Sequence, residues 1–66
     1  MSIDEMRSFC TSISPYQLRV QVRLRDGHKV MEGKITGVGA ERFQLQTDDK
    51  VINEVRFAWV ARIKTA

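Results

Sequence analysis

Five arginines carry most of the chemistry open to this sequence. Arg19, Arg23 and Arg25 stand in the run Leu18-Arg19-Val20-Gln21-Val22-Arg23-Leu24-Arg25, and Arg42 and Arg56 lie farther along. A guanidinium is planar, always charged and rich in donors, so it meets phosphate oxygens and stacks on bases. Trp59 is the other group of interest. Exposed, it would stack on a base for roughly 1–3 kcal/mol; buried, it would anchor the core or a subunit interface. Its neighbours Ala58 and Val60 point to burial. Catalytic sets are not legible. His28 and Cys10 are the only histidine and cysteine, which excludes a Cys/His zinc cluster and an intrachain disulfide. There is no Ser-His-Asp or Cys-His pattern, and no phosphate-cradling glycine loop precedes a helix. Asp48-Asp49 falls at a turn, where solvation is the ordinary role. Neither enzymatic activity nor a cofactor is expected.

The arginines sit in a chain of 66 residues with a net charge of +3. Residues 1–15 hold Asp4 and Glu5 against Arg7, so the excess lies in the rest of the chain. That balance fits a polyanionic partner and fits a solvated basic surface equally well. The row Arg19, Arg23 and Arg25 has the same two readings: a phosphate surface, or a solvated face partly neutralised by Glu32 and Glu54 on neighbouring strands. A chain this short forms one domain and buries a modest share of its surface. With no disulfide or zinc to staple it, oligomerisation is the remaining device. No apolar run approaches the roughly 18–20 residues that span a bilayer, and acids occupy the N-terminus where a signal peptide is basic. A cytoplasmic protein without a membrane partner is expected.

Two kinds of element must position these side chains. Residues 1–14 read as a helix: Ser2 and Glu5 fit a capping box, and Ile3, Met6, Phe9, Cys10 and Ile13 recur at three- and four-residue spacing. This stripe is expected to cover an open end of the core, with Cys10 as a small buried hydrophobe. Pro15 should end the helix, leaving Ser14 extended. From Leu18 the period changes to two, with Leu18, Val20, Val22 and Leu24 facing inward. Asp26-Gly27 is a hairpin signal, and the return strand runs from His28 to about Val38 with Gly33 and Gly37 as bending points and Gly39 just beyond. Phe43 to Thr47, Val51 to Phe57 and Trp59 to Lys64 complete the set. Val51-Ile52 breaks alternation, as where both faces are covered. Val60 and Ile63 are the core residues of the last strand. The expected class is α+β, mainly β: an N-terminal helix followed by a five-stranded, strongly bent antiparallel barrel of SH3-like form over residues 16–66.

The barrel segment resembles the Sm-like (Sm/Lsm/Hfq) family. The stretch V20-x-V22-x-L24-x-D26-G27-x-K29-V30-x-x-G33-K34-I35-x-G37-V38 is similar to the family's first motif, and V55-R56-F57-A58-W59-V60-A61-R62-I63 to its I-R-G-x-x-I-x-x-I. The short segment between Gly37 and Leu45 resembles the bacterial Hfq-type members. The resemblance implies rings of five to eight subunits, joined by pairing the 51–57 strand of one copy with the 59–64 strand of the next, and single-stranded RNA held at pore loops. Arg56 matches the arginine of the second motif. Gly39 stands where the family has Asp, and Glu41 or Arg42 where it has a base-stacking residue; the family's Asn has no counterpart. Phe57-Ala58 replaces the family's Gly and the Lys-His of Hfq-type members. The expected function is non-catalytic RNA binding by a ring, with Arg56 and Arg42 at the pore and Arg19, Arg23 and Arg25 as an auxiliary surface. The replaced positions favour the alternative, a ring that acts as a structural or protein-interaction module without RNA. A monomeric SH3-like adaptor is the third reading.

Overall fold

Ser2 opens the first helix by reciprocal capping: its hydroxyl accepts from the Glu5 N–H at 3.2 Å, and the Glu5 carboxylate accepts from the Ser2 N–H at 3.4 Å. The computed structural model describes residues 2–27 and 29–66; His28, expected to begin the second strand, lies outside them. Helix α1 spans Ile3–Ile13 and buries Met6 and Cys10, with Phe9 and Ile13 packed beside them. Ser14 departs from the extended geometry expected before proline. It is helical (φ −53°, ψ −45°) and runs into a 3₁₀ turn, Ser14–Tyr16. Two hydrogen bonds offset the steric bias, since the Ser14 N–H donates to Cys10 O and its carbonyl accepts from Gln17 N–H. Gln17 then takes a left-handed conformation (φ +52°) that turns the chain into the sheet, leaving Leu18 exposed and outside the first strand.

Five strands follow: β1 (Arg19–Leu24), β2 (Val30–Val38), β3 (Arg42–Thr47), β4 (Ile52–Arg56) and β5 (Val60–Thr65). They form one antiparallel sheet in the order β4-β3-β2-β1-β5, which is the α+β, mainly β architecture expected. Consecutive strands are hairpins except the last, which crosses to pair with β1 (Val22 opposite Ile63, Arg23 opposite Arg62). In the β1–β2 turn the Gly27 N–H donates to Leu24 O, and Gly27 adopts φ +84°, a conformation that favours glycine. Two irregularities bend the sheet. The β2–β3 register slips between Ile35 and Gly37, and the β1–β5 register slips after Arg23. Gly33 meets β3 so closely that a Cβ there would stand 2.2 Å from Gln46 O.

The helix and all five strands feed the core: Met6 and Cys10 from α1, Val20 and Val22 from β1, Ile35 from β2, Phe43 and Leu45 from β3, Val55 from β4, and Val60 and Ile63 from β5. Phe57 completes it. Expected as the end of the fourth strand, it lies instead in a 3₁₀ turn, Phe57–Trp59, fully buried with its ring centroid 5.2 Å from that of Phe43. Val51 and Ile52, expected to be covered on both faces, are exposed. β4 is an edge strand, with no strand paired beyond it among the described residues.

Candidate nucleic-acid interface

One candidate surface forms where the 39–42 segment meets the β4–β5 turn. The Gly39 N–H donates to Arg42 O at 2.7 Å, closing the 39–42 segment on itself, and the Phe57 N–H donates to Glu41 O at 2.9 Å, tying that segment to the turn. Arg42 and Arg56 are direct cross-strand partners. Arg42 is partly neutralised, with its Nε 2.7 Å from Glu54 Oε1. Arg56 has no ion pair among the described residues, and its guanidinium carbon stands 5.9 Å from the Trp59 ring centroid.

Trp59 is 53% exposed, against the burial expected from its neighbours. The 3₁₀ geometry accounts for this. With three residues per turn, Phe57 and Val60 fall on one side and Trp59 on another. Phe57 and Val60 are both fully buried, so Trp59 is turned outward. Beside it, Arg56 and Ala58 line an open cleft of ≈ 400 Å³ with Ile3, Arg7, Ala40 and Glu41. Arg7 braces this cleft, since its Nε donates to Ala40 O at 2.9 Å and its guanidinium pairs with Asp4.

The arginine row is less uniform than simple alternation implies. Arg19 is engaged by Glu32 at 3.0 Å and by Asp48 at the β3–β4 turn. The hydrogen bond that Arg19 donates to Asp48 is the main reason its guanidinium holds its proton above its ordinary range, and Arg19 in turn lowers the Asp48 carboxyl. Arg25 lies past the end of β1, beyond the register slip, so it leaves the face that Arg19 and Arg23 share. Its N–H donates to Trp59 O at 2.8 Å and its Nε to Val60 O at 3.4 Å. Arg23 stays on the outer face, and the structure gives it two companions that sequence reasoning missed. Arg62 is its direct partner on β5, and Lys64 is opposite Gln21. These residues and Val30 line a groove of ≈ 140 Å³.

No protein-family model matches this chain, and no curated protein shows significant similarity to it. Cys10 is sealed in the core, where burial pushes its thiol up to about 12, so it is no nucleophile at neutral pH. Asp49 is held below the usual carboxylate range chiefly by the Thr47 hydroxyl, with help from the Val51 N–H, as a turn-stabilising acid would be. What the surface offers a ligand is an aromatic face, guanidinium groups and a basic groove.

Proposed function

We propose that this chain is an Sm-like, ring-forming cytoplasmic protein that binds single-stranded RNA without chemical turnover. The observation that carries the reading is the exposed Trp59 beneath Arg56, on a turn tied to the 39–42 segment by the Phe57 N–H to Glu41 O bond. An indole face next to a guanidinium stacks an unpaired base and meets its phosphate. Arg42, Gly39 and Arg56 are the positions that the family resemblance assigns to pore loops, and they lie together here. Ring formation is supported by the two free edges. β4 and β5 each lack proline, and β4 presents the exposed Ile52 with the exposed Val51 just before it.

Light scattering should give a multiple of 7.6 kDa. Fluorescence anisotropy with U-rich and A-rich oligomers should show binding at low salt that Trp59→Ala weakens by roughly 1–3 kcal/mol. A monomer, or an oligomer with no affinity at low salt, refutes the reading. The second outcome is what a structural or protein-interaction ring would give. Glu41 in the cleft and Glu54 on Arg42 favour that alternative, because both acids repel phosphate.

A further inference from the structure

We propose that the outer face of β1 and β5 is a separate phosphate-binding groove, in which Arg23, Arg62 and Lys64 take the sugar–phosphate backbone of a single-stranded nucleic acid. The sheet register makes this site. Arg23 is directly opposite Arg62, and Gln21 is directly opposite Lys64, so the four outward side chains form a small rectangle with three charged corners. Adjacent strands lie about 4.8 Å apart, and outward residues on one strand recur at about 6.7 Å. The longer repeat is close to the phosphate-to-phosphate step of an extended single strand. Val30, opposite Arg23 on the other side of β1 and 54% exposed, supplies an apolar floor beside the charges.

The charge in this groove has no internal answer. Among the described residues neither Arg23, Arg62 nor Lys64 forms an ion pair, although four other pairs form elsewhere on the chain. The nearest acid on the face, Glu32, is committed: one carboxylate oxygen accepts from Arg19 and the other from the Gln21 amide at 3.4 Å. Like charges directly opposite on neighbouring strands are unfavourable. A phosphodiester entering between the two guanidinium groups removes that repulsion, with one non-bridging oxygen accepting from each. Contacts of this kind position a strand without reading its sequence. The groove shares no residue with the Arg42, Arg56 and Trp59 surface, so either can fail without the other.

The test is anisotropy with (U)12, (dT)12 and a poly-glutamate peptide between 50 and 200 mM salt. Wild type, the double variant Arg62→Gln/Lys64→Gln, the rescue variant Arg62→Lys and Trp59→Ala are compared. Three phosphate contacts on a single strand contribute a log–log salt slope of about 2, or about a 20-fold loss of affinity across that range. The double variant should lower the slope by about 1.4 for both oligomers alike, and Arg62→Lys should keep it. Trp59→Ala should weaken binding and leave the slope intact. An unchanged slope in the double variant overturns the groove, as does a variant that loses only poly-glutamate binding, which would mark an acidic protein partner. No effect of Trp59→Ala overturns the stacking surface instead. In case the double variant folds poorly, the amide shifts of wild-type residues 21, 23, 62 and 64 on titration with (dT)12 decide the same question. If they do not move, the proposal is lost.

Discussion

Gly33→Ala should separate β2 from β3, and the size of the effect follows from three distances. The new Cβ would stand 2.2 Å from Gln46 O, 2.9 Å from Gln46 C and 3.1 Å from Thr47 Cα, all backbone atoms that no rotamer change can move. To reach an ordinary contact the two strands must part by close to an ångström. A ladder bond stretched that far is lost, at roughly 0.5–1.5 kcal/mol each. Overpacking of the surrounding core adds roughly 1–3 kcal/mol, offset by about 0.4–1 kcal/mol from the stiffer unfolded chain. With one bond lost, the mid-range values give a net loss of about 2 kcal/mol and the largest about 4 kcal/mol, a large part of the roughly 3–10 kcal/mol available to a chain of this size. A melting point at least about 10 °C lower should follow, read by circular dichroism at matched protein concentration because assembly shifts the midpoint. Gly37→Ala is the internal control. Its Cβ would meet the tip of the Gln44 side chain at 3.0 Å, which can swing away, so its melting point should stay within a few degrees of wild type. Equal losses in the two variants, or a Gly33→Ala protein that melts with wild type, would refute the close-approach argument.

Phe57→Ala removes a fully buried ring from its partner Phe43 and should cost roughly 3–5 kcal/mol, measured as a fall in the urea midpoint with unchanged m. Near-neutral behaviour would place Phe57 outside the core. Cys10 predicts an alkaline weakness. Its thiol is raised from about 9 to about 12, so across that interval the unfolded chain has released a proton that the folded chain still holds. Stability is therefore intact below pH 9 and falls as pH rises toward 12. Wild type should lose more stability than Cys10→Ala between pH 9 and 11; parallel losses would refute the assignment.

The parts of this fold that are readable along the chain are those set by neighbours in sequence. The Ser2–Glu5 box, the Met6 and Cys10 stripe, the Val20 and Val22 alternation and the Asp26-Gly27 turn depend on residues within one or two turns of each other, and each is where its pattern places it. What pattern could not supply depends on packing between distant segments. Phe57 and Trp59 have equal claims to the interior as residue types, and the choice falls to a 3₁₀ turn whose phase is set by Val60 in the core. Arg62 and Lys64 look like the solvated side of a strand until β5 is known to pair with β1. Their place on either side of the buried Ile63 is the one local hint, since Val60 and Ile63, three apart, break simple alternation. Glu32 as a neutralising partner of Arg19 was legible from strand adjacency, whereas Asp48, which reaches Arg19 from the β3–β4 turn, was not.

The crossing from β4 to β1 also orders events in time. β1 through β4 can zip as successive hairpins, each closing a short loop, but Arg23 and Arg62 are roughly 40 residues apart, and closing that span costs about 1.5 kcal/mol more than closing a hairpin. β5 is thus the strand expected to dock late in folding and to fray early, with its amides exchanging before those of β2 and β3. The basic groove exists only once that strand is in place. A polyanion that occupies it would act as a clasp on the last-formed seam of the molecule, slowing exchange along β1 and β5 while leaving the earlier hairpins untouched.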